Sequence, residues 1–429
     1  MGIRQAWRGL WGGAPEIKES ATGHIISFQK LGQPIWTPRR YDQFAEEGYK
    51  RNVVAYRCID LISKSAAAVP WLLYTDKDDE IDQHPLLALL QAPNPSQGGA
   101  ALMRAMYGYY LIAGNSYLEA VGPDNGVPRE IYSLRPDRMK VIPGRAGMAG
   151  AYVYTVGSDS VTWPVNELTG EGPILHIKAF NPLDDWYGLS PLEAASYAID
   201  QHNEAGKWNQ ALLQNSGSPS GALVYAPKEG PGVLTDDQFG KLKGEIDEKF
   251  SGSRNAGRPL LLEGGFDWKQ IGLSPRDMDW LEGKKSASQD ICAAYGVPPQ
   301  LLGIEGSMTF ANYEQARLAL YEDTVLPFLD NIAEELNHWL VPKFGEGLRL
   351  GYDLDEISAL EPRRKELWDK ILKSGSILTK NEQREALGYE PVEGGDDLMV
   401  DATQLPMGFD AGAPPKQPPK DAAKMAYGE

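Results

Sequence analysis

Apolar positions recur along the chain at two spacings, and the switch between them marks its organisation. Between Asn52 and Ala68 a helix is predicted: Val54, Cys58, Leu61, Ile62 and Ser65 share one face at helical spacing, and Pro70 ends the run. WLLYT at 71–75 reads as a strand and HPLLALLQ at 84–91 as a short helix. ALMRAMYGYYLIAG at 101–114 is a longer helix with Leu102, Met106 and Tyr109 on one face, closed by Gly114 and Asn115. From 116 to 180 the pattern becomes strand-like: SYLEAV, the turn PDNG with its Asn125-Gly126 hairpin signal, then VPREIYSL, MKVIP, AYVYTV and ILHIKAF. These runs predict an antiparallel sheet module.

Helical spacing then returns. Ser190-Pro191-Leu192-Glu193 combines a capping serine, a proline at the first helical position and a glutamate three residues after the cap. The helix it opens runs to about Asn215 and is ended by Gly217 and Pro219. Leu192, Ile199, Gly206 and Leu213 fall on one side, Tyr197 and Trp208 on the other. Between them the polar stripe of Ser196, Asp200, Asn203, Glu204 and Lys207 is the one wide enough to meet solvent. Two apolar faces fit a helix clamped between neighbours and equally a core helix of one large domain.

GALVYA (221–226), RPLLLE (258–263) and FDWKQIG (266–272) read as strands around a helix opened by the box Thr235-Asp236-Asp237-Gln238, with Phe239, Leu242, Ile246 and Phe250 on its apolar face. A further helix spans about Pro275 to Gly296. After the glycine-flanked loop GIEGSMTF at 303–310, a long helix is predicted from about Ala311 to Leu340, with Tyr313, Leu320, Phe328, Ile332, Leu336 and Trp339 on one side. Pro327 should kink it, because the ring removes a backbone donor and clashes one turn back. PRRKELWDKILKS at 362–374 and the box Thr379-Lys380-Asn381-Glu382 predict two short helices. Residues 1 to about 50 lack sustained periodicity and read as an arm that orders against a neighbour, with Trp7, Trp11 and Trp36 as anchors. The proline-rich end, from GAPPKQPPK onward, reads as disordered.

Composition narrows the class. At 429 residues with 42% hydrophobic and 24% charged side chains, the chain has the proportions of two or three globular units and not of a disordered protein. Two cysteines, Cys58 and Cys292, cannot form a disulfide framework and read as buried small hydrophobes in a reducing compartment. No apolar run is long enough to span a membrane, and the N-terminus lacks the apolar core of a signal peptide, so a soluble intracellular product is expected. A net charge of −17, from 42 basic against 59 acidic residues, argues against tight wrapping around nucleic acid but leaves open DNA that is touched weakly.

No enzymatic motif emerges. The nearest approach to a phosphate-binding loop, GSRNAGRP at 252–259, has Arg258 and Pro259 where lysine and a hydroxyl residue are required. HExxH and GxSxG are missing, and the five histidines have no metal-ligand spacing. The acid pairs Asp184-Asp185, Asp236-Asp237 and Asp396-Asp397 suit turns and caps better than catalysis. Neither a catalytic group nor a metal or other cofactor is therefore expected. Lys284-Lys285 flanks the apolar arc of Leu281, Ile291, Cys292 and Tyr295. These lysines either snorkel over packed surface or, repeated around a ring, form a belt of point charges that touches phosphate without fixing register. Ser307, Met308, Thr309 and Phe310 are either an ordinary connector or a mobile loop that touches a substrate.

Taken in order, several stretches resemble the portal proteins of tailed bacteriophages and gene transfer agents, the family named after phage HK97. They are YRCIDLISKSAAAVPWLLY (56–74), HPLLALLQAPNPSQ (84–97), GNSYLEAV, IYSLRPDRMKV and ILHIKAFNPLDDWYGLSPLEAA (174–195). The most specific is WLEGKKSASQDICAAYGVPPQLLG (280–303), followed by NYEQARLALYEDTVLPFLDNIAEELNHWL and LTKNEQREALGYEPVEGGD. The resemblance covers about 50–400; Ser-Pro-Ser at 218–220, where an asparagine-glycine turn is expected, departs from it.

The resemblance implies an α+β portal fold assembled as a ring of twelve, enclosing a channel for double-stranded DNA at one capsid vertex. In that plan 1–50 is the arm, 51–189 the β-rich wing, 190–216 and 275–296 the two stem helices and 217–274 the small α/β clip. Residues 297–354 hold the tunnel loop and the kinked helix, 355–400 form the crown and 401–429 the tail. Lys284, Lys285, Ser307, Met308, Thr309 and Phe310 become the channel candidates. Implied partners are the major capsid protein, the large terminase that supplies ATP hydrolysis, and a head-tail adaptor, in a virion or virus-like particle, with no membrane. Two other readings are an acidic, aromatic-rich carbohydrate-active hydrolase and a capsid-associated structural protein without a channel.

Overall fold

The computed structural model describes residues 41–123, 126–144, 148–166, 168–214, 221–225, 237, 240–241, 266–270, 280–304, 309–374 and 377–397. The chain divides into two compact units, Met1–Ala359 and Leu360–Glu429. Several expectations lie outside the described residues: the arm up to residue 40 with its three tryptophans, Asn125, most of the 235–250 helix, the strand at 258–263, residues 275–279 and the tail.

The first unit is built on helices α2 (Val53–Ala67) and α4 (Gly99–Ala113), which pack against each other. Ile59 and Ile62 of α2 are fully buried, as are Leu102, Met106 and Tyr107 of α4. Asp60 on α2 is buried too, and accepts from Lys64 (2.9 Å) and from Arg104 of α4 (2.7 Å). Burial alone would raise its pKa, but these cations hold the carboxyl below its ordinary value and so charged. Chain entry precedes the expected boundary: α1 (Tyr41–Gln43) runs into a π-helical segment, Phe44–Lys50, that buries Phe44 and Gly48. A π-helix repeats every i to i+5, so the 3.6-residue template passes over it.

Strand β1 (Trp71–Thr75) forms where expected, but its partner is β10 (Leu348–Tyr352), an unanticipated strand nearly the whole unit away in sequence. Short helix α3 (Pro85–Gln91) is capped by the His84 ring. The sheet module is two antiparallel three-stranded sheets. One has the order β3-β2-β7, from β2 (Asn115–Val121), β3 (Glu130–Leu134) and β7 (Ile174–Lys178). The other has the order β4-β5-β6, from β4 (Met139–Pro143), β5 (Ala149–Val156) and β6 (Asp159–Pro164). Periodicity missed β6 because it is a polar, exposed strand at a sheet edge. Tyr117, Met139 and Ile174 meet between the sheets, with Tyr152, Tyr154 and Trp163 packed around them.

His176 sits in this core, stacked on Tyr117 with ring centroids 4.3 Å apart. Asn115 Oδ1 already accepts from Gly188 N (2.8 Å), so Nε2 of His176, 3.0 Å away, must donate to it and carries the proton. Burial, helped by the Lys178 ammonium, pushes the imidazole pKa down to about 3.

Ser190 caps α5 (Pro191–Ala194) as expected, but the helix does not run on unbroken: Ala195 (ψ 1°) separates α5 from α6 (Ser196–Gln214). Leu192 of α5 is fully buried under Gly48, where a β-carbon would come 2.8 Å from its Cδ2. The long helix predicted after residue 311 is also compound. It consists of α8 (Phe310–Leu320), a π-helical turn (Tyr321–Val325) and α9 (Leu326–Trp339), with helix α7 (Trp280–Ala294) preceding it in the chain. The irregular turn lies one turn before Pro327, where the ring's missing donor and steric demand act. Leu320, Ile332, Leu336 and Trp339 are buried as the pattern predicts, whereas Tyr313 is exposed. Strands β8 (Gly221–Tyr225) and β9 (Phe266–Gln270) pair antiparallel.

In the second unit, α10 (Glu361–Lys373) and α11 (Lys380–Ala386) form as expected, and both halves of the Thr379–Glu382 capping box are present. No helix among the described residues is long and apolar enough to cross a membrane.

The His176 environment sets a pH dependence. Its folded pKa lies below the value of about 6.5 in an unfolded chain, so the unfolded state binds the extra proton and stability falls as pH drops from about 6.5 toward about 3. In denaturant titrations from pH 7 to 4.5, His176→Gln is expected to flatten the slope of stability against pH by up to about 1.4 kcal/mol per unit, one proton's worth.

Candidate functional site

A buried asparagine ties α6, the helix against which the lysine-bearing α7 packs, to α2. Asn52, 1% exposed, caps α2 by accepting from Val54 N (3.1 Å) and Ala55 N (3.0 Å). Its amide nitrogen points the other way, to His202 Nδ1 (3.2 Å) and Asn203 Oδ1 (3.0 Å) on α6. Asn203 in turn donates to the Glu47 carbonyl (3.0 Å). The polar stripe expected to face solvent is therefore divided. Ser196 and Asp200 are buried, Asn203 is bonded inward, and Glu204 and Lys207 remain at the surface as an ion pair (2.7 Å). Tyr197, on the second apolar face, is half exposed.

Helix α7 packs beside α6. Its buried line is Ala287, Ile291, Cys292 and Tyr295, with Tyr295 Oη donating to the Leu111 carbonyl (3.2 Å). Cys58 of α2 and Cys292 of α7, both free and buried, hydrogen-bond to each other, which pushes the Cys58 thiol far above its ordinary pKa. Lys284 stands half-buried at the edge of this line, one turn before Ser288, whose Oγ donates to its carbonyl (2.9 Å). Its ammonium adds to burial in holding the His202 imidazole below its ordinary range. Lys285 is exposed. The two lysines thus differ in exposure: Lys284 is half-buried and near His202, and Lys285 is exposed. Across Trp280–Ala294 they are balanced by Glu282 and Asp290, so the helix carries no net charge.

Of the loop candidates, Ser307 and Met308 lie outside the described residues. Thr309 caps α8, its hydroxyl accepting from Asn312 N (3.3 Å), and Phe310 at the first helical position is 78% exposed. Arg317 anchors α8 through Ser358 Oγ (2.7 Å), and Thr324 Oγ1 in the π-helical turn donates to the Gly296 carbonyl (2.6 Å) just beyond α7. The described candidates therefore fall in two places, the lysines on α7 and Thr309-Phe310 at the start of α8, with no hydrogen bond between the two places among the described residues.

Sequence reasoning missed the Asn52 bridge, although a capping asparagine before a helical run was a readable sign of half of it. It also missed two strongly exposed apolar side chains, Phe180 and Leu183, in the connection from β7 to α5.

Comparison with known proteins gives this geometry its context. The family model described as phage portal protein matches residues 53–388. An uncharacterised protein of Rickettsia bellii is 38% identical over 92% of this chain and its own full length. The portal protein of Enterobacteria phage HK97 is 26% identical over 90% of this chain and 88% of its own. Among solved structures, a chain from the neck of a native gene transfer agent particle, computed with C12 symmetry, is 44% identical. The likeness covers 84% of this chain and 96% of that one, with a TM-score of 0.65. An HK97-family portal protein from Corynebacterium diphtheriae, 15% identical with a TM-score of 0.53, shares the fold. The carbohydrate-active reading draws no support from these similarities. Matched over most of its length by the family model, and alike in fold to chains built into particle necks, this chain belongs to the phage portal protein family.

Proposed function

We propose that twelve copies of this chain close into a ring at one vertex of a phage-like or gene transfer agent particle, and that double-stranded DNA enters and leaves through its channel. The observation that carries this reading is the 44% identity, over 84% of this chain, to a chain from the neck of a gene transfer agent particle computed with C12 symmetry. In this reading α6 and α7 are the stem, the paired strands β8 and β9 belong to the clip, α8 and the loop before it face the channel, and α10 and α11 belong to the crown. The ring catalyses nothing; a separate terminase supplies ATP hydrolysis and docks at the clip, and a head-tail adaptor takes its place after filling. The major capsid protein surrounds the ring.

The chemistry of the wall suits a conduit. Every phosphate neutralised by a fixed cation releases counterions and adds affinity, so a strongly basic lining would hold DNA in place. Here α7 is neutral overall, and α8 balances Glu314 with Arg317. Sparse lysines on an acidic protein touch phosphate and let go. The exposed half of Tyr197 on α6 also fits a ring, since every subunit of a closed head-to-tail ring has two different neighbours.

Native mass spectrometry of the purified assembly is expected to give about 566 kDa, twelve copies of 47.2 kDa; a chain that stays monomeric even with its capsid partners would overturn the ring. Replacing Lys284 and Lys285 together by alanine should leave the ring twelve-membered and reduce the DNA held in filled particles most at low salt, the difference from the parent narrowing as salt is raised. Retention identical to the parent at every salt concentration would remove these lysines from the channel.

The helix junction has its own expected outcome. Asn52→Ala removes the cap and strands the His202 and Asn203 partners, so a loss of about 2–3 kcal/mol is expected in denaturant unfolding. Asn52→Ser, which keeps a capping oxygen, should recover about 1 kcal/mol of it.

A further inference from the structure

The connection between β7 and α5 is an exposed loop that is nonetheless fastened at both ends and internally. Ala179 N donates to the Gly114 carbonyl (2.8 Å) and Gly188 N to Asn115 Oδ1 (2.8 Å). Within the loop, Asn181 Nδ2 donates to the Tyr187 carbonyl (2.9 Å), and Trp186 N (2.8 Å) and Tyr187 N (3.2 Å) donate to Asp184 Oδ1. The Tyr187 hydroxyl accepts from Val141 N (3.0 Å) in the neighbouring sheet. Yet this fastened loop holds Phe180 85% exposed and Leu183 94% exposed. Two large apolar side chains kept in water by a rigid backbone mark a contact surface more than a loose loop would, because the loop cannot fold them inward.

A receptor of matching character lies at the other end of the same sheet. Pro85, Ala88 and Leu89 of α3, Val127 and Pro128 of the β2–β3 connection, and Phe344 line an open groove of about 590 Å³. Arg129, also at the groove, is exposed and makes no ion pair among the described residues. The strand register fixes the separation. Lys178, from which the Phe180 loop departs, pairs with Asn115 at the start of β2, and Glu130, just after the groove loop, pairs with Val121 at its end. Six residue steps of about 3.3 Å put roughly 20 Å between those points, so knob and groove cannot meet within one chain.

We infer that Phe180 and Leu183 of one subunit seat in the Pro85–Leu89/Phe344 groove of the next subunit in the ring. This rests on the ring reading proposed above, and it names the contact. A head-to-tail ring requires two different, complementary patches on opposite sides of each subunit, and an apolar knob at one end of a sheet with an apolar groove at the other meets that requirement. Charge agrees: exposed Asp185 lies beside the knob and Arg129 beside the groove, so the polar rims attract where the apolar centres meet.

The test places a photo-reactive probe in the groove of the full chain. Ala88 is exposed and the native thiols of Cys58 and Cys292 are buried, so benzophenone maleimide on Ala88→Cys labels one site. Illumination of assembled rings is expected to give covalent dimers on a denaturing gel, with the cross-link mapping to the peptide around 179–189. Adding Leu183→Asp should cut that dimer yield at least several-fold while the thermal melt of the chain is retained. Rings of the expected mass that give no dimer, or whose cross-links map elsewhere, including residues 1–40, would overturn the knob and leave the ring standing. A chain that never assembles would overturn both.

Discussion

The structure turns on one buried amide group. Asn52 has a single side-chain oxygen and a single side-chain nitrogen, and it directs them to two different helices: the oxygen caps the start of α2 and the nitrogen holds α6. Neither half can be given up alone, because a buried donor or acceptor left without a partner costs more than the bond was worth. Helix α6 is thereby fixed against the start of α2, and α7 packs alongside α6. Asp60 plays the corresponding part between α2 and α4, where charge replaces the neutral amide.

What the sequence made legible was local. Capping serine and threonine residues, strand alternation and helical faces depend on neighbours within a few positions, and the starts of α2, α5 and α11 and the extents of β1 and β4 follow from them. What it hid was long-range or off-template. Strand β10 owes its existence to β1, some 270 residues earlier, and LRLGY alone gives no sign of that partner. The interruption at Ala195 has no sign in the local pattern, and neither has the packing of Leu192 beneath Gly48, a contact between segments remote in sequence. Ser196 and Asp200 read as solvent-facing because a helical wheel knows polarity and not what packs above it. At the candidate site the lysine pair was visible in the sequence, while the different exposure of Lys284 and Lys285 needed the packing of α6 against α7. Phe180 and Leu183 escaped notice for a related reason: an apolar residue in a loop is unremarkable until the loop proves fastened.

These elements describe a subunit that is rigid where it is joined and nearly neutral where DNA is proposed to pass. Rigidity comes from bonds that cross between segments, and neutrality comes from placing an acid for each base on α7 and α8. In the proposed ring such subunits would separate two demands that conflict in a single binding protein, holding the ring's own shape firmly and the DNA weakly.

The meeting of Gly114 and Gly188 carries a consequence of another kind. A β-carbon on Gly188 would come 2.1 Å from the Gly114 carbonyl oxygen, and one on Gly114 would come 2.5 Å from the backbone of Leu189. Gly114 also sits at φ +70°, where side chains are disfavoured in any case. Main chain meets main chain there, so there is no side chain on the opposite wall that could shrink to make room. Elsewhere in a core, lineages can drift by exchanging a larger residue on one side for a smaller one on the other. At this point no such exchange exists, and both positions are closed to evolutionary trial from the moment the fold is adopted.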